Sequence, residues 1–100
     1  MMQDDVLILI SNSFSEDEIG QQKPVEIRRE VFCRVGGISR REWFDAGHNG
    51  LKPELMFSVF FGDYCGEKTA EYNGERYTVY RTYRADPETV ELYCERRTGA

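Results

Sequence analysis

The sequence predicts a mainly β domain: a small antiparallel β-barrel or a compact sandwich, with one short helix in a long connection between two strands. Three observations lead to this prediction. Residues 25–35 alternate between apolar and polar side chains with the period of two that a half-buried strand requires. Asn73-Gly74, a dipeptide preferred in two-residue hairpin turns, separates two further strand-like segments. Closely spaced turn signals divide the chain into roughly five or six short strands, which is typical of antiparallel barrels and sandwiches.

The first strand and the turn after it are predicted from apolar content. Residues 5–11 form a short apolar segment with hydrophobic side chains on both faces, as in a buried strand. Residues 12–23 are polar and contain Gly20, so we expect a long turn there. In the strand at residues 25–35, only Arg29 interrupts the parity shared by the apolar side chains, which are Val25, Ile27, Val31, Cys33 and Val35.

A short helix is predicted next from a capping signal. Ser39-Arg40-Arg41-Glu42 matches a capping box, with Ser39 as N-cap and Glu42 as the third helical residue. The helix is expected to run for about two turns, through Ala46, with Gly47 as its C-terminal stop. It lies within the long connection between the second and third predicted strands, and connections of this length often carry function.

Four strand-like segments complete the chain. They cover residues 55–61, residues 68–72 and 75–83 on either side of Asn73-Gly74, and residues 90–95. In the third of these segments, alternation places Tyr77, Val79 and Tyr83 on one face and Tyr80 and Arg84 on the other. We expect the tail from Arg96 onward to fray.

Length and composition limit the possible classes of protein. The chain has 100 residues, of which 40% are hydrophobic and 13% aromatic, and we assign residues 1–100 to a single domain. The longest apolar run, VLILI, is far shorter than the ~20 residues that cross a bilayer, so no membrane partner is predicted. Asp4 and Asp5 occupy positions where a signal peptide carries positive charge, which predicts a soluble protein that is not exported. The net charge of −5 disfavours broad binding of nucleic acid, which depends on neutralising phosphates.

The residues that carry chemistry are too scattered to predict an enzyme. Cys33, Cys65 and Cys94 form no CxxC pair, and an odd number of cysteines without an export signal suggests reduced thiols. Cys33 and Cys94 fall in strand-like segments, where cysteine packs as a small apolar residue. The single histidine, His48, lies in a Gly/Asn-rich loop, and neither zinc-ligand spacing nor a phosphate-binding glycine loop is present. The sequence therefore predicts no catalytic residue, no metal and no cofactor.

Tyrosine and arginine are interleaved in residues 77–84, where Tyr80, Arg81 and Arg84 form a candidate interface. Aromatic side chains alternating with arginine can stack on bases and follow a phosphate backbone, as on small barrels that bind single strands. The same residue types dominate protein–protein interfaces, and tyrosines on strands also form cross-strand pairs. Acidic residues close by in the sequence favour the last two interpretations over nucleic acid.

Four segments of the chain together are similar to a known family. They read ISRREWFDAG, GLKPELMFSVFFGDYCGEK, AEYNGERYTVYRTYR and VELYCER. Their order and spacing, over residues 25–96, resemble the head-closure proteins, or head–tail adaptors, of long-tailed double-stranded DNA phages and prophages. The Lys52-Pro53 step, the Asp63-Tyr64 turn and the tyrosine-rich strand before the closing Glu-Leu-Tyr strand carry most of the resemblance.

The resemblance implies a structural connector subunit and not an enzyme. Proteins of this family form a homo-oligomeric ring beneath the portal and its adaptor, retain the packaged double-stranded DNA and offer a platform for the tail. The implied partners are the portal and adaptor proteins, a tail-completion protein and further copies of the chain, which is compatible with a monomer in isolation. The implied location is the virion, or the bacterial cytoplasm during assembly. Two alternatives remain: a small barrel that binds single-stranded nucleic acid, and a neighbouring tail-completion protein of related fold.

The resemblance also implies a role for the long connection from Gly36 to Lys52. In this family the corresponding connection can project into the central channel and help to close it. We therefore expect a mobile or partner-ordered segment that contains Arg40, Arg41, Trp43, Phe44, His48 and Lys52. The alternative is a docked helix that seals one mouth of the barrel with Trp43 and Phe44.

Overall fold

The computed structural model describes residues 5–16 and 18–96, and these form a closed antiparallel barrel with one short helix. The elements are β1 (Asp5–Glu16), β2 (Gln22–Gly36), α1 (Arg40–Gly47), β3 (Pro53–Phe60), β4 (Thr69–Tyr72), β5 (Glu75–Asp86) and β6 (Thr89–Arg96). The strand order is β1-β2-β3-β6-β5-β4, and β4 pairs with β1 to close the barrel. The prediction of a mainly β fold is confirmed. Of the two architectures predicted, a barrel and a sandwich, the structure has the barrel. Asp4 and the tail predicted to fray beyond Arg96 lie outside the described residues.

The barrel interior is filled by the apolar side chains of alternate positions on all six strands. Phe57 is fully buried, and its ring lies edge-on to those of Tyr72 and Tyr77, with centroids 5.3 Å and 5.8 Å away. The predicted burial of Cys33 and Cys94 is confirmed. Burial raises the pKa of the Cys33 thiol to about 11 and that of the Cys94 thiol to about 12, so both thiols act as packing groups.

The hairpin predicted at Asn73-Gly74 is confirmed as the connection between β4 and β5. Asn73 has φ 51° and Gly74 has φ 79°, and a type I′ turn needs positive φ at both central residues. Tyr72 pairs with Glu75 directly across the turn. The dipeptide therefore sets the register of β5, the strand that carries three of the six tyrosines.

The long turn expected at residues 12–23 is wrong, because β1 and β2 continue through most of it as a β-hairpin. Their register runs without a break from Asp5 opposite Cys33 to Glu16 opposite Gln22. Most of the paired side chains in this segment are polar, and Phe14, opposite Pro24, is the apolar exception on β1. Gly20, with φ 82°, serves the turn at the tip. Polarity alone did not distinguish a solvent-exposed hairpin from a loop.

This hairpin projects from the barrel, and we call its projecting part (residues 11–16 and 18–27) the arm. β4 pairs with β1 only at residues 8–10, and β3 pairs with β2 only at residues 33–36. Within the described ranges, the outer edges of the arm therefore have no strand neighbour. The molecule measures 52 × 31 × 23 Å, and its Cα radius of gyration is 15.1 Å, compared with about 13 Å for a compact chain of this length.

A bulge in β5 changes the faces predicted for its second half. Val79 lies opposite Cys94, but Arg81 lies opposite Tyr93, so Tyr80 is the extra residue. Beyond the bulge Tyr83 lies opposite Glu91 and Arg84 opposite Val90. Both residues thus have the opposite parity to that expected from strict alternation, and Tyr83 does not share a face with Tyr77 and Val79.

The helix begins as predicted but ends differently. Ser39 is the N-cap, and its Oγ accepts a hydrogen bond from the backbone N–H of Glu42 at 3.1 Å. The predicted stop at Gly47 is wrong: Gly47 belongs to α1, His48 is the C-cap, and the glycine with positive φ is Gly50, at 76°. No helix in the described part of the chain has the length and apolar content needed to cross a membrane.

Candidate interaction surface

One mouth of the barrel, at the base of the arm, is closed by an ion pair between Arg29 and Glu67. The Arg29 Nε and Nη2 atoms donate to Glu67 Oε2 at 3.1 Å and 2.6 Å, and the other carboxylate oxygen accepts from the Cys65 backbone N–H at 2.9 Å. Arg29 Nη2 also donates to the Asp63 carbonyl at 2.7 Å. Although burial alone would raise the pKa of Glu67, these hydrogen bonds hold it below its usual value. Sequence reasoning missed this pair, but the parity break at Arg29 was its signal.

The arm is braced on the outside of the barrel by exposed ion pairs. Arg28 Nη2 lies 2.5 Å from Glu71 Oε2, and Arg76 Nη2 lies 2.8 Å from Glu26 Oε1. Because Arg28 and Glu26 are on β2 while Glu71 and Arg76 are on β4 and β5, the contacts cross β1. Each exposed pair contributes little free energy, and the pairs connect β2, at the base of the arm, to β4 and β5.

Glu42 anchors α1 to the outer face of the barrel. Its carboxylate accepts a hydrogen bond from Tyr80 Oη at 2.9 Å and forms a two-point ion pair with the Arg81 guanidinium, which lies 4.2 Å from the Tyr93 ring centroid. The bulge in β5 brings Tyr80 and Arg81 to the same carboxylate. Glu42 thus completes only half of the capping box, because its side chain reaches the barrel and not the Ser39 backbone.

The electrostatics of this anchor favour ionised Glu42 and neutral Tyr80. Burial would raise the pKa of Glu42, but hydrogen bonds from Arg81 and Tyr80 leave it below its usual value. Burial and the neighbouring Glu42 carboxylate raise the pKa of Tyr80. A cleft of about 550 Å³ lies between α1 and the β5–β6 face beside this cluster. Glu42, Tyr80 and Arg81 are hydrogen-bonded to one another beside the cleft, so their role in this structure is to hold α1 against the barrel.

The residues predicted in the long connection lie on or beside α1. The structure has α1 docked, as in the alternative interpretation, but through Glu42 and the buried Ala46. Trp43 and Phe44 are each 55% exposed, and their rings form an edge-on pair with centroids 5.5 Å apart. Two aromatic rings at this exposure do not seal a barrel mouth.

The four other predicted residues of the connection are all exposed: Arg40, Arg41, His48 and Lys52. Arg41 has a 94% exposed side chain and a long 3.8 Å ion pair with Asp45. Lys52 donates its backbone N–H to Glu95 Oε2 at 3.1 Å. We call the surface formed by Arg40, Arg41, Trp43 and Phe44 the helix face. That the connection from Gly36 to Lys52 is mobile, or is ordered by a partner, stays a prediction.

The structure does not bring the three residues of the candidate interface in β5 onto one open surface. Tyr80 and Arg81 are both occupied by Glu42. Arg84 lies apart, with its guanidinium 3.7 Å from the Phe61 ring centroid and a 2.9 Å hydrogen bond to the Pro87 carbonyl. Bases would therefore have to displace existing contacts to stack on these side chains.

Sequence reasoning missed a row of exposed apolar side chains on β1, β2 and β3. Val6 lies opposite Phe32, and both point outward, at 45% and 64% exposure. Phe60 follows Val59, the partner of Cys33, so it lies beside Phe32 where the two strands diverge. The arm adds four exposed apolar side chains: Phe14 has the outward parity of Val6, Val25 and Ile27 have the opposite parity, and Ile19 lies at the turn. An apolar surface of this extent on a small domain is typical of contact with another macromolecule.

The arm and the helix face lie at different places on the barrel. The arm includes the beginning of β2, and α1 follows the end of that strand. Glu42 attaches α1 to β5, which stands opposite β2 in the closed order of strands, and α1 also contacts β3. The two surfaces also differ in chemistry, since the arm carries apolar and mainly acidic side chains together with Lys23, and the helix face carries arginine and aromatic ones. The protein thus has two exposed surfaces of different composition.

The remaining chemistry of the described residues is sparse. Within residues 5–16 and 18–96, no three His, Cys, Asp or Glu side chains converge as ligands for a metal ion. Comparison of the chain with protein-family models gives no match, and comparison with curated proteins gives none either.

Proposed function

We propose that this protein is a structural subunit of a phage or prophage head–tail connector, which works by forming contacts and not by catalysis. It assembles as a ring under the portal and adaptor, helps to close the DNA channel and offers a surface for tail attachment. The observation that carries the proposal is the placement of two exposed, chemically different surfaces at different places on one small closed barrel. A ring requires heterologous contacts, in which each patch meets a different patch on the neighbour.

The resemblance over residues 25–96 supplies the biological setting of this ring. It is supported by the presence of α1 in the connection between β2 and β3, at the position where the family carries its channel loop. α1 is held mainly by one hydrogen-bonded carboxylate and has an exposed outer face. A segment attached in this way can be released without disturbing the core, because local opening costs least where few apolar contacts are lost.

Binding to connector particles tests the proposal. Purified portal–adaptor particles are mixed with the protein and separated by sedimentation, and we expect the protein to travel with the particles as a ring visible by cryo-microscopy. Trp43→Ala is expected to weaken assembly or DNA retention, whereas the control Lys68→Ala, at an exposed position outside the helix face and the arm, is expected to bind as the unsubstituted protein does. Failure of the particles to retain the unsubstituted protein would overturn the proposal.

The two alternatives predict different results. A barrel that binds single-stranded nucleic acid would show micromolar binding of an oligonucleotide in an anisotropy titration, with a steep dependence on salt concentration. Arg84→Ala would then weaken the binding. A tail-completion protein would travel with tail-tube particles in the sedimentation experiment and not with portal–adaptor particles.

A further inference from the structure

We propose that the arm of one copy docks on the helix face of a second copy of this chain. The inference rests on the proposed function for its setting, since it specifies which surfaces meet in a ring. It follows from three features: the composition of the arm, the composition of the helix face and the positions of both surfaces on the barrel.

The tip of the arm is apolar and mainly acidic, with the cation Lys23 beside Glu16 and Glu18. Ile19 is 78% exposed at the turn, and Phe14 is 66% exposed on β1. Glu16 and Glu18 flank the turn and are both exposed. Within its own barrel, the arm has no described strand on either outer edge to cover these side chains. Apolar side chains this exposed are stabilised when another surface covers them.

The helix face has the complementary composition. Arg40 and Arg41 begin α1 with exposed side chains, and Trp43 and Phe44 present an exposed aromatic pair beside them. Asp45 lies 3.8 Å from Arg41, but that pair is largely solvated and weak. Tryptophan and arginine are the residue types that most often anchor protein–protein contacts. We expect the aromatic pair to receive Ile19 and Phe14 while the arginines face Glu16 and Glu18.

The positions of the two surfaces make the contact possible between copies and not within one. The arm lies at the end of β1 and the beginning of β2, while α1 follows the opposite end of β2 and is held on β3 and β5. A contact between unlike surfaces at different places on the barrel repeats from copy to copy, which closes into a ring when the rotation permits. Electrostatic complementarity between the arm and the helix face orients the approach of the two copies.

Site-specific cross-linking tests the contact directly. In a Cys65→Ser background, which removes the one exposed thiol of the described residues, Ile19→Cys is placed in one preparation and Phe44→Cys in another. The two preparations are mixed at high protein concentration, without portal, and treated with a short bis-maleimide. We expect several-fold more cross-linked heterodimer than in a control mixture in which Lys68→Cys replaces Phe44→Cys. Equal yields in the two mixtures would overturn the proposal.

A charge exchange tests the electrostatic part of the contact in the same assay. Glu16→Lys with Glu18→Lys in the arm preparation should slow cross-linking about tenfold, and so should Arg40→Glu with Arg41→Glu in the helix preparation. Mixing the two exchanged preparations should restore the rate, because the charges are then reversed on both surfaces and the attraction between them is retained. All four side chains are exposed, so folding is expected to persist, and circular dichroism of each variant checks this. Failure of the exchanged pair to recover would overturn the pairing of these charges.

The outcomes separate this inference from the proposed function. Particle binding with no preference for the Ile19–Phe44 mixture would leave the connector role in place and refute the arm–helix contact. A strong preference without particle binding would establish the contact between copies and refute the connector role.

Discussion

Single residues that break a strand pattern carry much of the structural information in this chain. Arg29 occupies a position of inward parity on β2 among apolar neighbours, and its charge is compatible with that position only because Glu67 meets it. Glu67 in turn holds the loop after β3 by accepting the Cys65 N–H. A buried charge left without its partner would be costly, so the two residues depend on each other.

Replacing Glu67 with glutamine should reveal this dependence in the pH profile of stability. The pKa of Glu67 in the folded protein is below its usual value, so its ionised form contributes stability above the ordinary glutamate pKa of about 4.3, and that stability is lost as the pH falls through the folded pKa. We expect Glu67→Gln to lower the free energy of unfolding by about 1–3 kcal/mol at neutral pH. The difference from the unsubstituted protein should shrink as the pH falls. Urea unfolding between neutral and acid pH measures both effects.

The exposed Glu30 provides the control for that experiment. Glu30→Gln is expected to change stability by no more than about 0.5 kcal/mol and to leave the pH dependence as it is. A Glu67→Gln protein that kept the full acid dependence would show that the stability lost in acid comes from other carboxylates.

At the scale of elements, turns and helix caps can be predicted from neighbouring residues. The contacts that each strand or helix then makes depend on residues distant in the sequence. The Asn73-Gly74 hairpin and the Ser39 cap were predicted because their signals lie within a few residues. The second half of β5 was predicted on the wrong faces, because a bulge is set by how a strand fits the barrel. Glu42 was placed correctly in the helix, but its contact with Tyr80 joins residues 38 positions apart in the chain, beyond the reach of a local pattern.

Gly74 should be far less tolerant of substitution than Gly37. Gly74 has φ 79°, whereas Gly37 has no positive φ, and a Cβ at either position meets no atom within 4 Å. We therefore expect Gly74→Ala to destabilise the protein by about 1–2 kcal/mol through backbone strain alone. Gly37→Ala should be neutral or slightly stabilising. Thermal unfolding of both variants measures the contrast, and equal effects would mean that the type I′ turn is not required.

Trp43 should contribute little to the stability of the monomer. Its side chain is 55% exposed, and α1 is held by Glu42 and Ala46. We expect Trp43→Ala to lower the free energy of unfolding by less than about 1 kcal/mol, whereas Phe57→Ala, in the centre of the barrel, should cost about 3–5 kcal/mol. Chemical denaturation of the two variants provides the comparison. A loss of about 3 kcal/mol or more for Trp43→Ala would place this residue in the core and weaken its assignment to a contact surface.

At the scale of the whole molecule, the closed barrel was predictable and the arm was not. Alternation, turn signals and the need to remove exposed edges all favoured closure. Residues 12–23 read as a loop because their apolar side chains are few and remain exposed, so burial gives no pattern to detect. The placement of the helix face relative to the arm depends on strand order, which no local signal in this sequence specifies.

Removal of the arm should leave the barrel intact. Asn12 and Glu26 are partners in the ladder, so an Asn-Gly turn can replace residues 13–25 and connect them directly. We expect cooperative unfolding with a change of no more than about 1 kcal/mol, because the apolar side chains removed are exposed. Small-angle scattering should show a particle clearly shorter than 52 Å. Loss of cooperative unfolding would mean that the arm belongs to the folding unit.

The unpaired edges of the arm also bear on solubility. An uncovered strand edge is a template for indiscriminate pairing, and proteins protect such edges with proline and with charged side chains. β2 carries both along the arm: Pro24 supplies no backbone N–H, and Lys23 and Glu26 lie close to it in the strand. These residues contribute little to the barrel core, yet they oppose the stacking of arms into fibrils. We therefore expect substitutions at these arm residues to change the solubility of the folded protein without changing the stability of its barrel.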